Sequence, residues 1–293
     1  MSTSTPVAPI SMPRMAFPAL ILANLILPIG PVLVRLSDVG PVAAAFWRLS
    51  IALPFLILLA VPGLKRTAPT MREWSVLILS GVVFALDLAV WHIGILYTKV
   101  ANATIFGNMS GLFLPAWALL VLRQRPTRNQ AIALSLAGAG ALVMMGGSYE
   151  LSVRNLQGDL LCLLAGVLYT IYLLMVQGAR ARLDAWSVLA VASAASVPVL
   201  LLCALLLGET VMPHNWTPLI LLALSSQLIG QGLLIYAIGW FSPLVLGLSL
   251  LLQPAISAIF GWLLFGEWLS PGDMIGTVAV GAALVLVRLP SRA

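Results

Sequence analysis

Charged side chains are scarce in this chain: Asp, Glu, Lys and Arg together make up 8% of its 293 residues. A soluble globular domain carries about a quarter of its residues as charges, so the composition excludes one. Histidine and cysteine occur twice each, and the sequence contains no phosphate-binding loop and no nucleophile elbow. We therefore expect no metal, no cofactor and no enzyme activity. Cys162 and Cys203 are expected to be small apolar core residues, with a disulfide as the alternative.

Apolar residues dominate instead, at 61% of the chain. They form ten stretches of roughly 20 residues, the length at which an α-helix crosses a hydrocarbon core of about 30 Å. The stretches lack the alternation of a membrane barrel strand, so the sequence predicts an all-α membrane protein with ten transmembrane helices. The predicted spans cover residues 17–36, 41–61, 74–98, 102–122, 129–146, 157–178, 186–207, 217–240, 243–266 and 271–289.

The formal net charge of +6 raises the question of nucleic-acid binding, which the positions of the basic residues answer. Eleven of the fifteen lie at the termini or in the loops after the second, fourth, sixth and eighth spans. By the positive-inside rule, both termini face the cytoplasm, so the charge reflects topology and no nucleic acid is expected as a partner. The eleven are Arg14, Lys65, Arg66, Arg72, Arg123, Arg125, Arg128, Arg180, Arg182, Arg288 and Arg292.

The ten spans divide into two groups of five that resemble each other. An ungapped offset of 139 residues aligns Tyr97 with Tyr236 and places His92 opposite Gln231. Because five is odd, the second group must enter the membrane from the opposite side, which makes the repeats inverted, as in many secondary transporters. We expect a cytoplasmic tail at 1–16, repeats at 17–146 and 157–289, and a periplasmic linker at 147–156.

Several short motifs carry a family resemblance. The second span contains Ala44-Ala45-Phe46-Trp47-Arg48, and Phe265-Gly266-Glu267 precedes the tenth. The fourth and ninth spans carry the pairs Pro115-Ala116 and Pro254-Ala255. With the five-plus-five layout, these motifs resemble the EamA-type ten-helix carriers of the drug/metabolite transporter superfamily. The first repeat departs from the pattern, since Arg123-Gln124-Arg125 stands where glycine and an acid are expected.

Within that superfamily, the whole chain is most similar to the YddG-type aromatic amino-acid exporters. The resemblance implies a multi-pass protein of the bacterial inner membrane that exports amino acids with aromatic or other apolar side chains. A carrier of another small metabolite or drug is the alternative, and a membrane scaffold without transport is a further one. Proton coupling and facilitated diffusion both remain open, as do the monomeric and dimeric states.

Two charged residues lie at membrane depth, where an unpaired charge costs several kcal/mol on insertion scales. Arg48 in the second span and Asp87 in the third lie at similar depths. We expect them to approach each other, as an ion pair or through water. They are interpreted either as a strut between the two helices or as a gating pair in which Asp87 releases Arg48 or binds a proton during transport.

Further polar residues predict a central substrate cavity. His92 and Gln231 are candidates because they occupy equivalent positions of the two repeats. Gln227 lies one helical turn before Gln231 on the same face. Tyr97 and Tyr169 are added as aromatic cavity candidates. For His92 the alternative is a hydrogen-bonded packing residue.

Proline marks possible gating points in three spans. Pro28 and Pro31 cannot donate hydrogen bonds to the carbonyls of Asn24 and Leu27, which could then meet substrate, or the segment could be a plain kink. Asn24 itself is a further cavity candidate.

Pro115 and Pro254 occupy equivalent positions in the fourth and ninth spans, where each removes a backbone hydrogen bond. We expect them to shape or gate the substrate path. Trp117, two residues after Pro115, is a candidate for stacking on an aromatic substrate, with packing as its alternative.

Overall fold

The structure, a computed structural model, describes residues 12–98, 100–147, 153–266 and 271–288. Throughout these ranges every regular element is helical, which confirms the predicted all-α class. In the first half the helices are α1 (Ala16–Ile26), α2 (Ile29–Leu36), α3 (Pro41–Arg66), α4 (Met71–Tyr97), α5 (Val100–Gly107), α6 (Ser110–Leu120) and α7 (Arg128–Gly147).

The second half contains α8 (Val153–Arg180), α9 (Ala185–Leu206), α10 (Thr217–Leu222), a π-helical segment (Ala223–Gln231), α11 (Gly232–Ile238), α12 (Pro243–Leu250), α13 (Leu252–Phe265) and α14 (Pro271–Arg288). Several of these are pieces of one longer rod. Thr217–Ile238, for example, is continuous through the π-helical segment.

Eight rods in the described part of the chain are long and apolar enough to cross a membrane. They are Ala16–Leu36, Pro41–Arg66, Met71–Tyr97, Ala103–Leu120, Val153–Arg180, Ala185–Leu206, Thr217–Ile238 and Pro243–Phe265. The fifth and tenth predicted spans correspond to helices α7 and α14, which pack against each other.

The first span is interrupted at Pro28, as its proline predicts. Helix α1 ends at Ile26 and α2 begins at Ile29. The carbonyl oxygen of Leu27, which Pro31 cannot reach with a hydrogen bond, accepts one from the backbone N–H of Gly30 at 2.9 Å. The Leu27 carbonyl is therefore already hydrogen-bonded within the chain, as the plain-kink interpretation expects.

The fourth and ninth spans are also broken. A turn at Asn108 and Met109 separates α5 from α6, and Leu251 separates α12 from α13. Pro115 lies inside α6, four residues beyond Gly111, whereas Pro254 lies in the first turn of α13. In a first turn the missing N–H of proline costs nothing, so Pro254 lies in the first turn of a new helix and does not kink a continuous one.

The two halves interlock. Helix α4 packs against both α8 and α9, α3 against α9, α6 against α12, and α1 against α11. Small residues permit the close approach: the Oγ atom of Ser196 in α9 donates a 2.7 Å hydrogen bond to the carbonyl oxygen of Gly81 in α4. Any side chain on Gly81 would collide with the backbone of Ala192. Cys162 and Cys203 are free thiols, so the alternative of a disulfide is not formed.

Polar contacts join the halves at both ends of the bundle. At one end, here called the Glu209 end, the Glu209 carboxylate accepts hydrogen bonds from the backbone N–H groups of Val42 (3.2 Å) and Ala43 (2.8 Å), at the start of α3. At the opposite end, the Arg182 end, Arg182 forms an ion pair with Glu73 in the first turn of α4. These contacts position a cavity between the two ends.

Candidate substrate cavity

A cavity lies between the halves, with a volume of about 50 Å³. Its walls come from α1, α3, α4, α8, the π-helical segment, α13 and the break between α5 and α6. It is lined by Leu27, Arg48, Phe84, Asp87, Leu88, Trp91, Gly107, Asn108, Tyr169, Gln231 and Gln253.

Irregular backbone surrounds this cavity. Leu27 lies at the break between α1 and α2, and Asn108 at the break between α5 and α6. Gln231 ends the π-helical segment, and Gln253 follows the break at Leu251. Within a membrane, non-helical backbone is tolerated only where protein or a polar cavity satisfies its freed groups, and π-helical turns concentrate at functional sites.

Arg48 is buried in the cavity wall, with 3% of its surface exposed. Its Nε atom donates a hydrogen bond to Oε1 of Gln227 at 3.2 Å. The Nε2 atom of Gln227 donates in turn to Oγ of Ser193 at 3.0 Å. Arg48 of α3 is therefore held by the π-helical segment and α9, both in the other half of the chain.

Asp87 of α4 lines the same cavity and is 6% exposed. The predicted ion pair with Arg48 is not formed, because no carboxylate oxygen lies within 4.0 Å of the guanidinium in the described structure. The hydrogen bond of the Arg48 Nε goes to Gln227 instead. Two opposite charges thus share one cavity without direct contact.

Aromatic rings form another part of the wall. The rings of Phe84 and Tyr172 stack with centroids 4.4 Å apart, and those of Tyr169 and Tyr172 stack at 5.8 Å. The Tyr169 hydroxyl donates to Oε1 of Gln231 at 3.2 Å, and Nε2 of Gln231 donates to the Tyr172 hydroxyl at 3.4 Å. Gln231 therefore fixes the orientation of both tyrosines.

Comparison with known proteins identifies the family. The model of the EamA-like transporter family matches residues 14–146 and, a second time, residues 156–289. The chain belongs to the EamA-like transporter family. The resemblance drawn from its motifs is thereby confirmed at the family level, and the protein is a multi-pass membrane transporter.

Individual relatives agree with this assignment. An uncharacterized transporter of Archaeoglobus fulgidus is 27% identical over 241 residues, which cover 80% of this EamA-like chain and 83% of that protein. The uncharacterized transporter YyaM of Bacillus subtilis is 26% identical over 140 residues, or 45% of each chain. A solved crystal structure superimposes with a TM-score of 0.75 at 17% identity, covers 94% of this chain and 97% of its own, and supports the fold.

Three of the predicted cavity residues line this cavity: Asp87, Tyr169 and Gln231. Two others act one layer behind the wall. Gln227 holds Arg48. Asn24 accepts a 2.8 Å hydrogen bond from Nε2 of the lining residue Gln253 and donates to Leu20 and Ser249.

His92 is fully buried but does not line the cavity. Its Nδ1 atom lies 2.9 Å from the carbonyl oxygen of Pro41, at the start of α3. Its Nε2 atom has no hydrogen-bond partner among the described residues. This geometry corresponds to the packing alternative for His92, with one ring nitrogen anchoring α4 to α3.

Trp117 and Tyr97 do not line the cavity, contrary to the sequence prediction. Trp117 is 42% exposed on the outside of α6. It follows the buried Pro115 by two residues, and residues so spaced point to different sides of a helix. Tyr97 ends α4, is 38% exposed, and its ring contacts the guanidinium of Arg154 at 5.5 Å.

Sequence reasoning missed four residues that line the cavity: Phe84, Trp91, Asn108 and Gln253. Two of these carried a usable signal. Asn108 is a polar residue that follows Gly107 within a predicted span, and Gln253 immediately precedes Pro254. A polar side chain beside interrupted backbone in a membrane span points to a cavity, because both need hydrogen-bond partners that lipid cannot offer.

Proposed function

We propose that this carrier exports amino acids with aromatic or other apolar side chains from the cytoplasm across a bacterial inner membrane. The observation that carries the proposal is the composition of the cavity wall. Phe84, Trp91 and Tyr169 offer aromatic surface, while Arg48 and Asp87 offer opposite charges. Small-molecule sites typically combine an apolar lining with a few polar groups that fix the orientation of the ligand.

Ten spans in two inverted repeats, with both termini cytoplasmic, form the architectural part of the proposal. The family model matches the chain twice, over segments of similar length. The helix packing supports the repeat relation as well. Exchange of the two halves leaves the pairs α3–α9 and α7–α14 unchanged, and it converts α6–α12 into α13–α5 and α1–α11 into α8–α4. Such exchange symmetry is expected of inverted repeats.

Alternating access between these repeats is the proposed mechanism. A cavity of about 50 Å³ holds a few water molecules, whereas ligand pockets measure about 300–1,000 Å³. An amino acid can therefore enter only after the halves move apart. The contacts at the Glu209 end and at the Arg182 end both join one half to the other. We infer that one set opens while the other stays closed, with the Arg182 end facing the cytoplasm.

Reconstitution tests the function directly. The purified protein in proteoliposomes should move labelled phenylalanine, tryptophan or leucine faster than protein-free liposomes do. The expected order places amino acids with large apolar side chains above glutamate and lysine. A panel in which no amino acid moves would overturn the proposal and favour another small metabolite or drug.

The same vesicles address the driving force. Imposing a pH gradient should accelerate export if Asp87 carries a proton through the transport cycle, and should leave the rate unchanged under facilitated diffusion. An Asp87→Asn variant is the control, since it removes the titrating carboxylate. Acceleration that persists in that variant would exclude Asp87 as the coupling site.

A further inference from the structure

We propose that Arg48 and Asp87 form the two poles of a zwitterion site, with the substrate carboxylate on Arg48 and the substrate ammonium on Asp87. This inference rests on the proposed amino-acid transport and refines it. It assigns to two side chains the recognition of the invariant part of the substrate. The aromatic wall is left to select the variable side chain.

The guanidinium of Arg48 has unused donors. Its Nε atom is occupied by Gln227, but its two terminal nitrogens have no hydrogen-bond partner within the described ranges. Arg48 lines the cavity, and the Gln227–Ser193 chain fixes the guanidinium from behind. A guanidinium held this way presents a planar fork that suits a carboxylate, which arginine binds through two parallel hydrogen bonds.

The carboxylate of Asp87 has unused acceptors. It accepts no hydrogen bond and forms no ion pair with any residue in the described part of the chain, although only 6% of its residue surface is exposed. Its surroundings in the cavity are largely apolar and include Phe84, Leu88 and Trp91. A buried carboxylate without a partner is costly. A primary ammonium group brings three donors and the compensating charge.

The combination of charges selects the ligand class. One positive and one negative side chain at the same cavity, without direct contact, are together neutral. A zwitterion matches both, whereas a monoanion leaves Asp87 unpaired and a monocation leaves Arg48 unpaired. The other polar lining residues each already make a hydrogen bond: Gln231 with the tyrosines, Gln253 with Asn24, the Nδ2 of Asn108 with the carbonyl oxygen of Thr104 at 2.9 Å, and the Trp91 indole N–H with the carbonyl oxygen of Ala103 at 3.2 Å.

Binding of three related probes tests the assignment on the full-length protein in detergent. Phenylalanine carries both charges, phenethylamine lacks the carboxylate, and 3-phenylpropionate lacks the ammonium. The native protein should bind phenylalanine about tenfold more tightly than either analogue, since each lost charged hydrogen-bonding group removes about that factor. Competition against labelled phenylalanine measures all three affinities.

The variants should change the order of the probes. Asp87→Asn should weaken phenylalanine and phenethylamine while 3-phenylpropionate binds as well as before or better. Arg48→Gln should do the reverse, weakening phenylalanine and 3-phenylpropionate and sparing phenethylamine. Asp184→Asn is the matched control: Asp184 accepts hydrogen bonds from Trp186 and Ser187 as the N-cap of α9, and asparagine caps a helix about as well.

Two negative outcomes differ in meaning. If native protein binds phenylalanine but Asp87→Asn weakens the three probes equally, the zwitterion site is wrong while amino-acid transport stands. If native protein binds no amino acid at all, the proposed function itself fails. Should Arg48→Gln not fold, Asp87→Asn with the three probes still decides, because its expected crossover in affinity does not depend on the arginine variant.

Discussion

The Nε atom of Arg48 donates a hydrogen bond of 3.2 Å to Oε1 of Gln227, which connects the first family-matched segment to the second. The bond lies beside the cavity and is fully buried. It links α3 to the one π-helical segment of the described structure. The arrangement of the proposed substrate site and the contact between the halves therefore depend on the same pair of side chains.

Removal of the glutamine amide should destabilise the fold. Gln227→Leu leaves the Nε of Arg48 and the hydroxyl of Ser193 without their present partner, and a buried unpaired donor costs about 1–3 kcal/mol. Thermal unfolding in detergent should show a clear drop in the midpoint. Ser193→Ala is the control, with a smaller drop because Arg48 keeps its bond. Equal midpoints for native protein and Gln227→Leu would contradict this account.

Close packing of α6 against α12 should be sensitive to a single methyl group. A Cβ atom on Gly247 would collide with the Pro115 ring, so Gly247→Ala should reduce stability by about 1–3 kcal/mol. Gly178 in α8 has open space around its position. Gly178→Ala should therefore be neutral or stabilising by up to about 1 kcal/mol. Unfolding midpoints of the two variants in the reverse order would refute the packing argument.

The aromatic wall predicts different effects for two tryptophans. Trp91 lines the cavity, whereas Trp117 is 42% exposed on the outside. Trp91→Ala should lower the affinity for phenylalanine by up to about tenfold, since aromatic pairs contribute about 0.5–1.5 kcal/mol beyond burial. Trp117→Ala should leave it unchanged. If Trp117→Ala lowers the affinity as much as Trp91→Ala does, the outside position of Trp117 does not exclude it from substrate binding and the prediction is wrong.

Acid should loosen the Glu209 end. Asp38, between α2 and α3, accepts hydrogen bonds of 2.9 Å from the backbone N–H groups of Asn215 and His214. The bond from Asn215 is the main cause that holds the pKa of Asp38 below its ordinary value of 3.8. A depressed pKa means that the stabilisation is fully present above the ordinary value and is lost progressively as pH falls from there through the lower pKa of the folded protein.

Hydrogen exchange can follow this change. After correction for intrinsic rates, the amides of His214 and Asn215 should exchange faster at pH 3 than at pH 6. In Asp38→Asn the corrected rates should no longer depend on this step in pH. Corrected rates that are the same at both pH values in the native protein would exclude the carboxylate as the controlling group.

Hydropathy predicted the rods well because it measures a property of whole segments. The predicted span 217–240 corresponds to the rod Thr217–Ile238. Helix rotation is harder to predict, since residues facing lipid and residues facing protein are both apolar and leave no amphipathic stripe to read. Trp117 was misplaced for this reason. The inward orientation of Asp87 and Gln231 could be predicted, because polar groups at membrane depth must face inward.

Local backbone irregularity was only partly predictable. The break in the first span followed from Pro28, which removes a backbone hydrogen bond from the helix. The turn at Leu251 precedes Pro254, which favours the first turn of a new helix. No residue type predicts the π-helical segment Ala223–Gln231, and hydropathy carries no information about how a helix is wound.

The π-helical segment makes the two equivalent walls of the cavity different from each other. At the offset of 139 residues, Ala223–Gln231 corresponds to Phe84–His92, which is regular α-helix. In the proposed amino-acid site, two identical walls would offer two equivalent and opposite poses. With one wall wound differently, a single pose is preferred. Under the proposed function, substrate is then released in that one orientation.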